Sequence, residues 1–189
     1  YGGGRTEDGR LFYVMELIEG GTLKQLLHTH HRLSWHEAIN YGIQICSALQ
    51  HAHNHGVIHR DLKPANVVLT YTPQNEMRVK VLDFGIAKMN DNTGSFATRT
   101  GAMIGTCNSM APEQVLGQSI DARTDVYAFG VLLYFLLSGR YPFQGKTISS
   151  ILYQHVHARP QPIEKVDSDP TLENLRKFRT ENVFVGSHN

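Results

Sequence analysis

Residues 59 to 66 read His-Arg-Asp-Leu-Lys-Pro-Ala-Asn, and this stretch restricts the chain more than any other. It sets Arg60, Asp61 and Lys63 side by side between two apolar pieces, Val57-Ile58 and Asn66-Val67-Val68-Leu69-Thr70. Flanks of that kind predict a loop held at both ends by short strands. Seven specified positions in such an order arise by chance at on the order of one in a billion per start site. Twenty-two residues beyond Asp61 stands Asp83-Phe84-Gly85, closing the apolar run Arg78 to Phe84. Thirty residues beyond Asp83 is Glu113, inside Ala111-Pro112-Glu113.

Around these motifs the pattern is mostly helical with a few short strands. Residues 10 to 18 are β-prone, and Gly20-Gly21 break the run. Thr22 and Gln25 suggest a capping box, and Ser34 and Glu37 form a clearer one. Behind Ser34, Ile39, Ile43, Cys46, Leu49 and Ala52 recur at helical steps until Gly56, which predicts an amphipathic helix with Cys46 on its core face. Residues 70 to 77 read as a hairpin turn, and residues 89 to 107 as a long polar loop. Pro112 opens a short helix. The longest apolar run, Val126 to Leu137, has 12 residues. A bilayer span needs about 20, so this run reads as a buried helix ending at Ser138-Gly139. Ile148, Ile151, Leu152 and Val156 predict one more amphipathic helix.

Composition narrows the partners. The chain is 41% hydrophobic with a formal net charge of +1, too apolar and too near neutral for a disordered chain. That balance gives no electrostatic case for nucleic acid or for membrane contact by this segment. Two cysteines, Cys46 and Cys107, build no disulfide scaffold, so a cytoplasmic setting is the default, although a longer parent could be membrane-anchored. The histidines at 28, 30, 31, 51, 53, 55 and 59 form no H-E-x-x-H pattern, and metal binding by them is not expected.

The three motifs in this order resemble those of the eukaryotic-type (Hanks-type) protein kinases. The resemblance runs from about Arg10 to Val156, and residues 105 to 114 and 121 to 143 are most similar to the bacterial serine/threonine branch. It implies a protein kinase-like fold: a mainly α large lobe with a few short strands, and a small lobe largely absent. On this reading residues 1–21 are a remnant of small lobe and hinge, 22–160 the large lobe, and 161–189 a divergent or truncated tail. The implied reaction is transfer of the ATP γ-phosphate to serine or threonine hydroxyls of proteins, with ATP and Mg2+ as cofactors.

Phosphoryl transfer needs an oriented hydroxyl, a clamped triphosphate and neutralised charge. The resemblance assigns Asp61 to accept and orient the substrate hydroxyl, and Lys63 to place a cation beside the transferring group. Asn66 and Asp83 supply hard oxygens of the kind magnesium prefers. Gly85 permits the turn by which Asp83 leaves its strand. Lys63 in this loop also accompanies serine/threonine specificity within the family. Met15 to Ile18 resemble the gatekeeper and hinge, with backbone groups of Glu16 and Ile18 bonding adenine above Val68. Thr106 would hold Asp61 and Lys63 in register, and Asp125 would bond the catalytic-loop backbone from the start of the apolar helix, where the helix dipole favours a carboxylate. Arg60 beside Asp61 suggests control by loop phosphorylation, with Thr98 and Thr100 as the expected phosphosites. Glu113 calls for an arginine partner, for which Arg176 and Arg179 are candidates. Cys107 falls in the activation loop, where its reactivity is open.

Two departures qualify the match. The family usually carries an aromatic residue two before the Ala-Pro-Glu motif, where this chain has Ser109-Met110. No G-x-G-x-x-G followed by V-A-I-K is found, and Tyr1 to Gly9 lead straight into the hinge. The chain alone is therefore expected to be inactive or nearly so. Two alternatives stay open: a noncatalytic kinase-derived binding or regulatory module, and a small-molecule phosphotransferase of kinase-like fold.

Overall fold

A computed structural model describes residues 2–84 and 107–163. Strands β1 (Gly2–Arg5) and β2 (Leu11–Val14) pair antiparallel as a hairpin, Gly2 opposite Val14. The sequence predicted a strand over 10 to 18, but only 11 to 14 find a partner, and the chain from Met15 to Glu19 runs without regular structure. Strand β3 (Gly21–Thr22) then joins a second sheet in the order β3-β4-β5, all antiparallel. Gly20 is required where it stands: its φ is +152°, and an added Cβ would lie 2.1 Å from the Leu69 carbonyl oxygen.

Helix α1 (Leu23–His30) starts at the Thr22 capping box and α2 (Trp35–Asn54) at the Ser34 one, both as the sequence indicates. The phase of α2 differs from the expectation. Ala38, Tyr41, Gly42, Ile45 and Leu49 face the core, whereas Ile43 is 65% exposed and Cys46 lies at the surface. The reason is Gly42: without a Cβ it admits the ring of Phe129, whose nearest atom would sit 3.3 Å from one. A helix crossing at that glycine, rather than at the larger side chains beside it, decides which face is buried.

The segment after α2 is irregular at Val57-Ile58, so the catalytic-motif loop leaves a helix, not a strand, and ends in a 3-10 turn (Pro64–Asn66). Strands β4 (Val67–Tyr71) and β5 (Met77–Val81) form the expected hairpin, Val67 opposite Val81. Helix α3 (Pro112–Val115) begins at its proline. Helix α4 (Ala122–Ser138) is capped by Asp121 and stopped by left-handed Gly139 at φ 72°. Helix α5 (Ile148–His157) follows a Thr147 cap.

One core joins these elements. Leu23 and Leu27 of α1, Ile45 and Leu49 of α2, Leu62 of the loop, Val67 and Leu69 of β4, and Leu132 and Leu136 of α4 are all buried against one another. Each such side chain contributes roughly 1.5–3 kcal/mol of burial free energy. Two hydrogen bonds tie these elements further: Val79 N–H donates to Gln44 Oε1 at 2.9 Å, and Leu33 N–H to the Leu136 carbonyl at 2.8 Å. A second cluster of Ala111, Tyr127 and Val131, with Tyr141 against it, carries the 107–111 segment.

Candidate active site

The loop from His59 to Asn66 is suspended from a buried carboxylate. Asp125, in the first turn of α4, is fully buried. Its Oδ2 accepts the His59 backbone N–H at 2.8 Å and pairs with His53 Nε2 at 2.7 Å. Its Oδ1 accepts the Arg60 N–H at 2.8 Å. Arg60 holds a left-handed backbone, φ 65°, which a non-glycine residue keeps only where its surroundings over-determine it. Asp125 thus bonds the backbone at the start of this loop from the first turn of α4. His53, at the last turn of α2, is a partner that motif reading passed over. Its position among seven histidines hid it, and only the tertiary fold singles it out.

His59 is the pivot of the loop. Leu62 and His59 are both buried, and the imidazole Nε2 lies 2.8 Å from the Leu82 carbonyl while Nδ1 accepts the Asp61 N–H at 3.2 Å. Those roles assign the hydrogen to Nε2. Burial pushes the His59 pKa below the ordinary histidine value, and the Leu82 carbonyl pulls it part of the way back. Phe84 packs over the same ring with centroids 4.8 Å apart. The Leu82 N–H also donates to the Asn66 carbonyl at 2.8 Å. The strand end bearing Asp83 is thus fastened to the loop on both sides of the aspartate. Asp83 itself is exposed with φ 55°, so the chain turns there without glycine. Gly85 lies outside the described residues.

Three of the expected residues share one cluster. Lys63 Nζ donates to Asp61 Oδ2 at 2.8 Å, with both side chains about four-fifths buried. Asn66 Nδ2 donates to the Asp61 carbonyl at 2.9 Å and lies 3.4 Å from Asp61 Oδ2. With its amide nitrogen engaged, Asn66 offers Oδ1, the hard atom of its side chain, to a cation. That donor set, a neutral amide oxygen and the Asp83 carboxylate on a tethered strand end, fits magnesium.

The flanks are tied to the same loop. Gln114 of α3 accepts the Ala111 N–H at 3.0 Å and donates to the Arg60 carbonyl at 2.9 Å, a link that no motif announced. Glu113 accepts the hydroxyl of Thr124. Arg176 and Arg179, Thr98, Thr100 and Thr106 lie outside the described residues. Arg60 Nε is buried with no hydrogen-bond partner among the described residues. Cys107 is 1% exposed and burial pushes its thiol pKa up, the opposite of what a reactive thiolate needs. On the other side, Val68 is buried on β4 directly opposite Lys80 of β5, and Lys80 pairs with Glu16. Ile18 is half-buried between β2 and β3. The hinge-like segment therefore meets the sheet beside Val68.

A carboxylate paired to a lysine with an amide beside it, on a loop hung from a buried aspartate and tied to the strand end that bears Asp83, is an arrangement of the protein kinase class. The protein kinase domain family matches residues 4–183, and the chain belongs to that family. Among its relatives are bacterial serine/threonine-protein kinases. It is 42% identical over 173 residues to the serine/threonine-protein kinase PknB of Mycolicibacterium smegmatis, covering 91% of this chain and 27% of that protein. A probable serine/threonine-protein kinase of Streptomyces coelicolor is 43% identical over 162 residues, 86% of this chain and 24% of its own length. PknB of Mycobacterium tuberculosis is 43% identical over 162 residues, 85% and 25% respectively. The chain thus spans about a quarter of the length of the curated relatives it matches. The family draws on ATP and magnesium for its chemistry. No helix among the described residues is long and apolar enough to cross a membrane.

Proposed function

We propose that this chain carries the hydroxyl-orienting and cation-holding half of ATP-dependent phosphoryl transfer to serine or threonine in protein substrates. The observation that carries this is the Asp61–Lys63–Asn66 cluster hung from buried Asp125. Asp61 accepts the proton of the attacking hydroxyl and points its oxygen in line. Lys63, at 2.8 Å from that carboxylate, offers positive charge where the phosphoryl group passes. Asn66 and Asp83 hold magnesium, which when bound neutralises the charge of the phosphates. Backbone groups of Glu16 and Ile18 take the adenine edge, with Val68 beneath. Residues 1–21, 22–160 and 161–189 act as hinge segment, large lobe and tail, and the supply of ATP sets the reaction in the cytoplasm.

Control of this site rests on Arg60. A buried guanidinium nitrogen without a partner among the described residues suits a dianionic phosphate, and Thr98 and Thr100 are the residues we assign to carry it. Thr106 would complete the contact with Asp61 and Lys63.

The test is phosphorylation of a basic protein substrate with MgATP, followed by phosphoamino-acid analysis. It is run on the chain alone and on the chain bearing the small lobe of the mycobacterial relative at its N-terminus. Phosphoserine or phosphothreonine from the second form, with little or none from the first, is expected. Phosphotyrosine as the main product, or no transfer by either form, overturns the reading.

A further inference from the structure

Gln114, in α3, bonds a part of the chain 54 residues away. Its Oε1 accepts the Ala111 N–H at 3.0 Å, and its Nε2 donates to the Arg60 carbonyl at 2.9 Å. The two bonds settle which way the amide faces. Turned over, it would set NH2 against N–H at Ala111 and oxygen against oxygen at Arg60. The first bond is local. Ala111 caps α3 without a side-chain oxygen, and the glutamine three residues on reaches back to its N–H, as in half of a capping box. A glutamate would serve that bond equally well. Only the amide also has a donor left for Arg60.

The carbonyl it holds belongs to the peptide between Arg60 and Asp61. The N–H of the same peptide donates to His59 Nδ1 at 3.2 Å, and the Arg60 N–H donates to Asp125 Oδ1 at 2.8 Å. Within this frame Arg60 keeps φ 65°, a left-handed backbone that persists where its surroundings over-determine it. Because a peptide is planar, its carbonyl and N–H turn together, and turning them swings Asp61 and its carboxylate. Asp125 grips the loop from α4, and Gln114 grips it from α3. Helix α3 is itself anchored: Ala111 packs on Tyr127 and Val131 of α4, and Glu113 accepts the Thr124 hydroxyl.

We propose that Gln114 is a positioning residue for Asp61: by holding the Arg60 carbonyl it fixes the Arg60–Asp61 peptide plane, and with it the direction of the carboxylate. This rests on the kinase reading above and deepens it, because the aim of Asp61 then depends on how α3 is seated.

Gln114→Glu separates the two bonds, keeping the acceptor for Ala111 and removing the donor for Arg60. Amide hydrogen exchange on the full chain reads both. The Asp61 amide is expected to exchange about fivefold faster, the loss of one hydrogen bond, while the Ala111 amide holds within about twofold. Gln114→Met removes both bonds and is expected to speed both amides, and it decides the matter where Gln114→Glu does not fold. An Asp61 amide at its native rate, an equal change at Ala111 in Gln114→Glu, or an equal change across α2 in either variant overturns the proposal. In the phosphorylation assay on the form bearing the relative's small lobe, Gln114→Glu lowers kcat about fivefold with ATP KM within about twofold. In an Asp61→Asn background it lowers kcat no further. A role in stability alone would cost the same in both backgrounds, and that result also overturns the proposal. No transfer by the unsubstituted form counts against the kinase reading only, because the exchange result decides the hold of Gln114 on the Arg60–Asp61 peptide independently.

Discussion

Replacing Asp125 by asparagine keeps the shape of the side chain and changes only what its two outer atoms can accept. In the native protein Oδ2 receives His59 N–H and pairs with His53, and Oδ1 receives Arg60 N–H, all at 2.7–2.8 Å in a fully buried place. The better orientation of the amide leaves its oxygen toward His53 and His59. Its NH2 then faces the Arg60 N–H, donor against donor. One hydrogen bond to a charged acceptor is lost, worth about 1.5–3 kcal/mol, and the two that remain are weakened to neutral ones. A buried N–H is also left without a partner. The expected loss is about 3 kcal/mol, or roughly 6–12 °C in Tm for a chain of this length. Arg60 sits at positive φ, so its local release should be disproportionate. Urea unfolding gives the total, and amide exchange gives the share at His59 and Arg60. A loss below about 1 kcal/mol, or protection at those two amides equal to native, would refute the claim that Asp125 suspends the loop.

Two further outcomes follow from single positions. Gly139 stops α4 at φ 72°, and an added Cβ would lie 2.9 Å from the His31 carbonyl oxygen, so Gly139→Ala should cost roughly 1–2 kcal/mol in thermal unfolding. A change under about 0.3 kcal/mol would contradict that contact. His155 has a folded-state pKa below its unfolded one, so its contribution to stability is complete above about pH 6.5 and fades as pH falls toward 4. The full effect is at most roughly 3 kcal/mol, read as the difference in acid sensitivity between native protein and His155→Phe, and equal sensitivity would exclude it.

The elements were legible where local chemistry is strong. Both capping boxes, the β4–β5 turn, the proline start of α3 and the glycine stop of α4 are short-range devices, and each lies where its residues indicate. The Asp61–Lys63–Asn66 cluster was legible for a different reason: the three lie within five residues of one another, so the loop itself brings them together. What failed was long-range. The face of α2 is chosen by Phe129 entering at Gly42, more than eighty residues away, and the exposure of Ile43 and Cys46 follows from that crossing. His53, Gln114 and His155 acquire their roles only from partners on other elements, and no spacing in the chain marks them.

The central claim is that Asp61 orients and deprotonates the attacking hydroxyl while other groups hold the nucleotide. The direct measurement is steady-state phosphorylation by the form bearing the relative's small lobe, comparing native protein with Asp61→Asn. A fall in kcat of about 10²–10⁴-fold with ATP KM essentially unchanged is predicted. A variant that keeps kcat within about tenfold of native would contradict the account.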